Sequence, residues 1–593
     1  MNNLVSLNVN PCKMCMPMGA VSALCGIKGC MSILHGSQGC ATYIRRHMAT
    51  HYNEPVDIAS SSLTEEGTVF GGEANLLKGL RNMIDLYDPE VIGVCTTCLA
   101  ETIGEDVNAI IKKFYAQNNG INVKIINIAS PGYGGTQNEG WFASLRAILE
   151  QIEPIMTHNE KINIITPQIS PADTRWLKSF LAETGIDFIL LPDLSDNLDG
   201  ATEKKYRRLK TGGASLADIA AMAGAKLTIE FSEFTDEKNS PAEYLKETYN
   251  VPFVKLPLPA GIRGMEKLID TLTLTDSGGV VSEETKKERG RYLDAMVDSH
   301  KYCAPARAAV FGEPDFVAAI VRLCCENGVL PVLAATGSVS AKLRETLVRE
   351  AENCADFHFG EEITILDDSD FAEIEKICVE RNANLLIGSS DGRRIAHALN
   401  IPLIRCAFPI HDHVGGQRVR TLGFDGSLDI LDKIANAMID KTETTFRTEL
   451  YDQFFKTDEK NSDKNSDKNI RADTFRRFAV ASKTGTIVDL HFGHADKFYI
   501  YESDETTTRF VETRSVSKYC DGSGCDKEDK WASVIRAVAD CDAVLALRIG
   551  PAPEKRLQEN GIYVITTYER VETAVSQAAK EINETYKIQA GQT

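Results

Sequence analysis

Long apolar runs are missing from this 593-residue chain. No window approaches the roughly 20 consecutive apolar residues that a bilayer-spanning helix needs. The first residues, Met1-Asn2-Asn3-Leu4-Val5-Ser6, carry no basic stretch ahead of an apolar one. The expectation is a cytoplasmic protein with no membrane attachment. Positive charge is also short. Lys and Arg number 65 against 84 Asp and Glu, a formal balance of −19, which argues against a general binder of nucleic acid or anionic lipid. No G-x-G-x-x-G follows a strand-like run and no G-x-x-x-x-G-K-[ST] occurs, which disfavours nucleotide binding. The C-x-x-x-C-x-x-C pattern of radical SAM enzymes is absent, and no Ser-His-Asp or paired-carboxylate constellation is legible.

Cysteine, by contrast, is plentiful, with 16 residues. In a reducing compartment these do not form a disulfide framework. Cys324, Cys325, Cys354, Cys378, Cys406 and Cys541 lie in apolar surroundings and read as core residues. The first hundred residues hold Cys12, Cys15, Cys25, Cys30, Cys40, Cys95 and Cys98, a density that suggests thiolate ligands. Cys12 and Cys15 form a C-x-x-C between Pro11 and Pro17, in what reads as a loop. Alone that motif serves zinc, redox and cluster sites alike, and Cys25 and Cys30 do not supply the second pair a zinc ribbon needs.

The most informative stretch is Ile33-Leu34-His35-Gly36-Ser37-Gln38-Gly39-Cys40. An apolar strand stops at a loop with two glycines, which lets backbone N–H groups approach whatever the loop faces. Cys40 then sits just before a helical segment, Ala41 to His51, where a thiol favours its thiolate form. The plainer reading is a buried structural cysteine behind a tight turn. A second strand, Glu90 to Val94, ends at Cys95-Thr96-Thr97-Cys98, and a third, Val123 to Ile128, ends at Ser130-Pro131-Gly132-Tyr133-Gly134-Gly135. Ligands of open α/β sheets collect at the carboxyl ends of strands, and Cys40 and Cys98 both fall there.

Short apolar strands alternating with helical stretches continue to about residue 440, which predicts parallel sheets with helices on both faces. A polar, charged segment from Leu272 to Val297 reads as a linking helix. Lys456 to Asn469 contains Lys-Asn-Ser-Asp in tandem and no apolar residue, so it reads as a flexible linker. Beyond it, Phe478 to Ser482 and Ile487 to Leu490 read as strands, the latter leading to His491-Phe492-Gly493-His494. A hairpin over Phe498–Tyr501 and Phe510–Val516, a Cys520–Cys525 loop and a strand at Ala543–Leu547 complete a small α/β domain. The expected organisation is residues 1–450, in three α/β subdomains near 1–155, 156–300 and 301–450, then a linker over 451–472 and a domain over 473–593.

Several of these motifs together resemble the nitrogenase component 1 family. They are Asn10-Pro11 with Cys15, His35 to Cys40, Ser60-Ser61-Ser62-Leu63-Thr64-Glu65, Phe70-Gly71-Gly72, Thr96 to Gly104, Phe311 to Asp315, Arg405 to Ile410 and Gly415 to Arg418. The likeness is to its β-type branch, which includes the nitrogenase MoFe β subunit and the NifN-type cofactor-assembly scaffold. The tail, with His491 to Ala495 and Arg548 to Pro553, resembles the NifX and NifB C-terminal family. The resemblance implies three Rossmann-like subdomains with parallel sheets, plus a small C-terminal α/β domain of the ribonuclease H-like kind. It implies an α-type NifE-like partner in an α2β2 heterotetramer, a NifH-like reductase and a NifB-like precursor donor. It also implies a [4Fe–4S] cluster shared with that partner, with Cys40, Cys15 and Cys98 as metal ligands, and a FeMo-cofactor precursor bound near His491, His494 and Cys520. A carrier domain suits a scaffold, since tethering raises local concentration. The alternative is a catalytic β subunit with a P-cluster, for which Cys15 and Cys98 stand in the ligand positions and Gly132 occupies about the place of a serine. A generic Fe–S redox or storage protein is the third reading.

Overall fold

Parallel pairing dominates because the strands are short, apolar and joined through helices. The computed structural model describes residues 10–202, 207–274, 281–352, 362–454, 476–504, 507–516 and 527–589. Two units separate, Met1–Thr457 and Asp458–Thr593.

Among the described residues the larger unit holds three sheets, each wholly parallel. The first contains β1 (Cys30–His35), β2 (Ile58–Ser60), β3 (Val91–Thr96) and β4 (Lys124–Ile128) in the order β2-β1-β3-β4. The second contains β5 (Ile162–Ile165), β6 (Phe188–Leu191), β7 (Leu227–Glu230) and β8 (Phe253–Lys255), ordered β6-β5-β7-β8. The third contains β9 (Arg307–Phe311), β10 (Leu330–Ala335), β11 (Thr364–Leu366), β12 (Leu385–Gly388) and β13 (Leu403–Arg405), ordered β11-β10-β9-β12-β13. Every residue of β3 is buried, as expected of a parallel strand covered on both faces. Helix Glu73–Tyr87 shows how the covering works. Leu76, Leu80 and Met83 form its buried stripe, and Asp88 in the left-handed conformation ends it, its N–H bonded to the Ile84 carbonyl. The α/β class expected from the alternation is therefore the observed one.

Among its described residues the smaller unit holds one mixed sheet of β14 (Arg476–Val480), β15 (Lys497–Ser503), β16 (Thr508–Ser515), β17 (Ala543–Ala546) and β18 (Tyr563–Thr566), ordered β16-β15-β14-β17-β18. The expected hairpin is present as antiparallel β15 and β16, while β14, β17 and β18 run parallel.

Some local expectations change. Pro17 does not keep its neighbourhood irregular. It occupies the first turn of helix Met16–Leu24, where its missing N–H costs nothing. Helix Gln38–Tyr52 begins two residues before Cys40, so that thiol is inside the first turn rather than ahead of it. The expected linking helix is two helices, Gly261–Leu274 and Glu283–Cys303. Ile487 to Leu490 forms no strand. The chain there makes isolated bridges, Ile487 to Arg570 and His491 to Arg548, around a short 3-10 turn, Phe492–His494. The tandem Lys-Asn-Ser-Asp segment lies outside the described residues. Among the described residues no helix is long and apolar enough to cross a membrane.

Candidate metal centre

The strand order of the first sheet makes a crevice. From β1 the chain moves to β2 on one side, then returns to β3 on the other. At such a reversal the loops leaving the two central strands diverge and leave a cleft at their carboxyl ends. The loop after β1 carries Cys40, and the turn after β3 carries Cys98.

Cys98 opens helix Cys98–Thr102 and is exposed. Its sulfur accepts a hydrogen bond from the Gly132 N–H at 3.1 Å, so the loop after β4 reaches the same place. Cys40 is half-buried in the first turn of its helix, its sulfur 3.9 Å from the Ser37 hydroxyl. Cys15, exposed at the start of helix Met16–Leu24, is bridged by its backbone to Thr136. Gly132 lies between two of the thiols. A Cβ there would stand 3.1 Å from Cys98 Sγ and 3.7 Å from Cys15 Cβ. Protein packed about Cys15 raises its thiol pKa, the Met18 N–H opposes this, and Cys40 and Cys98 add to the rise as neighbouring like charges. These three cysteines from three chain segments therefore share one cleft.

The remaining cysteines of this region behave differently. Cys12 and Cys95 are buried, and desolvation drives both thiols far above their ordinary range. Cys25 is pushed up to about 12 by burial and Cys30 is raised by burial and by Cys25. Such thiols stay protonated and offer no thiolate. A cavity of about 300 Å³ does open beside Cys25 and Cys30, with Asn197 and Lys210 in its wall. It lies at the opposite, N-terminal end of β1. Cys324, Cys325, Cys378, Cys406 and Cys541 are buried, and Cys354 is outside the described residues.

Hydroxyl clamps hold the cleft together. Ser130 Oγ donates to the Thr96 carbonyl at 2.9 Å, the Ser130 N–H donates to Thr96 Oγ1 at 3.0 Å, and Thr96 Oγ1 donates to Glu101 at 2.5 Å. Thr136 caps helix Gln137–Gln151 in a reciprocal pairing with Glu139 and lies 2.7 Å from Ser338 Oγ. Large side chains stand exposed on neighbouring loops: Tyr133, next to Gly132, is 66% exposed, and Val69 and Phe70, just ahead of the Gly72 that packs on His35, are 73% and 84%.

Among the described residues no three His, Cys, Asp or Glu side chains converge closely enough to hold one metal ion. The cysteine arrangement fits an iron–sulfur cluster better, because sulfide bridges space the irons and each thiolate binds a different one. Cys98 is already in the environment such a ligand needs, with an N–H directed at its sulfur.

In the smaller unit the histidines also lie where strand order reverses, between β14 and β17. The Leu490 N–H donates to the Ala481 carbonyl, the Leu547 N–H to the Leu490 carbonyl, and the Phe492 N–H to the Arg548 carbonyl at 2.9 Å. His491 caps the 3-10 turn, its Nδ1 accepting from the Gly493 N–H at 3.1 Å. His494 is exposed, with its ring 5.1 Å from that of His491. Burial lowers the His491 pKa, helped by His494 and Arg548, so its imidazole is neutral at neutral pH. Cys520, the third expected residue here, lies outside the described residues, as does Cys525. The sequence offered no signal for the hydroxyl clamps or for Arg548 beside His491, because each joins residues from separate loops.

Comparison with known proteins places this geometry. Residues 15–439 match the family described as nitrogenase component 1 type oxidoreductase, and residues 476–583 the family described as dinitrogenase iron-molybdenum cofactor. The chain is 35% identical over 446 residues to the nitrogenase molybdenum-iron protein beta chain of Methanococcus maripaludis, covering 73% of this chain and 95% of that one. It is 32% identical over 441 residues to the nitrogenase vanadium-iron protein beta chain of Trichormus variabilis, covering 72% and 94%. A solved structure titled "Nitrogenase Cp1 at pH 6.5" superposes with a TM-score of 0.71 at 30% identity, over 75% of this chain and 96% of that one.

Proposed function

This chain belongs to the nitrogenase component 1 family, and on that premise we propose that it is the β-type subunit of a scaffold on which the nitrogenase cofactor is completed, a NifN-like region fused to a NifX-like carrier. One observation carries the choice of scaffold. The same chain holds a component 1 region and a second region matching the dinitrogenase iron-molybdenum cofactor family. A carrier tied to the surface where its cargo is finished meets it at high effective concentration, whereas a subunit that only reduces substrate gains nothing from it.

On this reading an α-type partner covers the cleft, giving an α2β2 assembly, and a shared [4Fe–4S] cluster supplies one-electron chemistry there. Cys40 and Cys98 hold it from this side, with Cys15 beside them. The Gly132 N–H lowers the electron density on Cys98 sulfur, one of the ways a protein sets a cluster's potential. His494 presents an imidazole to the cofactor precursor, an anionic metal–sulfur cargo delivered by a NifB-like donor, while His491 and Arg548 line the same loop. A NifH-like reductase completes the assembly.

The three cysteines sharing one cleft also support a second reading, a catalytic β subunit with an eight-iron P-cluster. The relatives, which are nitrogenase beta chains, point the same way. Iron quantitation and EPR on the chain purified with its α-type partner separate the two. The scaffold shows a four-iron signal and no acetylene reduction comparable to nitrogenase. The catalytic subunit shows an eight-iron signal that requires Cys15, Cys40 and Cys98 together.

A further inference from the structure

We infer that His35 is the proton-accepting partner of electron arrival at the cysteine cleft: one electron entering a cluster there is matched by one proton taken up on this imidazole. The electron half of the inference rests on the cluster reading above, and the proton half rests on the residues around the ring.

His35 ends β1 and is fully buried. It is tied to both loops that carry thiols. The glycine loop to Cys40 begins at the next residue. The His35 carbonyl accepts from the Thr97 N–H at 3.1 Å and from Thr97 Oγ1 at 3.2 Å, and Thr97 caps the helix that Cys98 opens. Gly36 leaves no space for a side chain at this junction, since a Cβ would overlap Thr97 Oγ1.

The ring stands between a hydroxyl and a carboxylate. His35 Nδ1 is 2.9 Å from Ser61 Oγ. His35 Nε2 makes no hydrogen bond among the described residues, and Glu105 Oε2 waits 3.5 Å away. Glu105 is itself held by the Gly72 N–H. Ser61 Oγ accepts from the Gly36 N–H at 3.0 Å and has the Gly36 carbonyl at 3.4 Å as a second acceptor for its own hydrogen. A neutral ring can accept the Ser61 hydrogen. A charged ring donates Nδ1–H to Ser61 Oγ, the Ser61 hydrogen turns to the Gly36 carbonyl, and Nε2–H faces Glu105. Both protonation states are therefore satisfied by small hydrogen rotations, which is uncommon for a buried imidazole, because an unpaired buried donor is costly.

Burial lowers the His35 pKa and Glu105 only partly restores it, so the ring rests neutral. Negative charge added across the loop raises its affinity for a proton. The titratable group facing it is Glu105, while Cys40 and Cys98 lie on the two loops attached at the end of its strand. Glu101 is engaged by Thr96, the residue paired with His35 across the sheet, and Glu73 pairs with Lys113. The balance is simple: a one-electron donor such as dithionite or an iron–sulfur reductase reduces the cluster, and the imidazole takes one proton from solvent. No other bond forms or breaks.

The test uses the full chain with its α-type partner and reads the cluster's midpoint potential by EPR-monitored titration from pH 6 to 9. The wild-type potential should rise as pH falls, approaching about 59 mV per pH unit where reduction takes up one proton. His35→Gln keeps hydrogen bonding to Ser61 and Glu105 but cannot be charged, so it should keep its iron and lose the slope. Glu105→Gln should move the sloping region to lower pH. A flat wild-type profile, or an unchanged slope in His35→Gln, overturns the inference. So does ¹⁵N-histidine NMR of the cluster-free full chain that finds His35 already doubly protonated at neutral pH. A complex that binds no cluster defeats the cluster reading, while the NMR measurement still decides whether His35 has a nitrogen free to take a proton.

Discussion

The cysteine cleft of the larger unit and the histidine loop of the smaller one occupy the same topological place. Both lie where strand order reverses, β1 against β3 in one sheet and β14 against β17 in the other. They differ in what stands behind them. Buried hydroxyls and an imidazole brace the thiols: Thr96, Ser130, Ser61 and His35 are each 5% exposed or less. The histidines sit on a short turn held by backbone hydrogen bonds, with one ring capping that turn. A thiolate site that must hold a charged cluster while electrons pass needs fixed dipoles around it. A site that takes up and releases cargo is better served by a lightly braced loop at the surface.

Several substitutions would break or sharpen this contrast. The largest effect belongs to Cys40→Ala, which should remove nearly all cluster iron from the assembled complex while the circular dichroism spectrum of the chain stays unchanged; retained iron would sever the cleft from any cluster. Next, His494→Ala should weaken retention of the cofactor precursor roughly tenfold or more without touching the iron held by the cysteines. Equal loss at both places would erase the distinction between the two sites.

The units should also respond to pH with opposite sign. In the larger unit burial raises Glu313 to about 8 and Asp315 to about 7. These acids stay protonated in the fold after they would ionise in the unfolded chain. Their penalty therefore grows as pH rises from the ordinary carboxylate range to about 8. Glu313→Gln should accordingly stabilise the larger unit at pH 9, on the order of 2 kcal/mol, and change little at pH 5. In the smaller unit Asp540 is held below its ordinary value by Arg514, and Glu502 by Arg477. Their contribution is present above the carboxylate range and is lost as pH falls through it. Chemical denaturation followed by hydrogen exchange in each unit reads both signs, pH 5 against pH 9 for the larger unit and pH 3 against pH 5 for the smaller one. The smallest stability effect, less than about 1 kcal/mol, is expected for Gly132→Ala. Cys98 is exposed and can turn away from the new methyl when nothing is bound, but a bound cluster fixes the sulfur, so that variant should lose its iron faster than wild type.

Much of the first sheet was legible because strand ends are local events. Ile33-Leu34 followed by two glycines announces a strand and its loop, which leads to Cys40, and the apolar run from Glu90 to Val94 announces the strand that leads to Cys98. The Pro17 helix was missed because a proline reads as a breaker unless the first turn is known to begin there. The Ile487 to Leu490 strand was over-read because apolar alternation without a pairing partner leaves only isolated bridges. The Ser61–His35–Glu105 arrangement joins residues 26 apart in one pair and far more in the other, and no periodicity encodes such a meeting.

Periodicity, glycine placement and residue chemistry act over a few neighbours along the chain. They determined the alternating α/β layers and the thiols at strand ends. Which thiols share a cleft, which are sealed in hydrocarbon, and which buried ring faces a carboxylate were decided only by the packing of sheets and crossovers. Desolvation and hydrogen bonding depend on what lies within a few ångströms in space, whatever the distance along the chain.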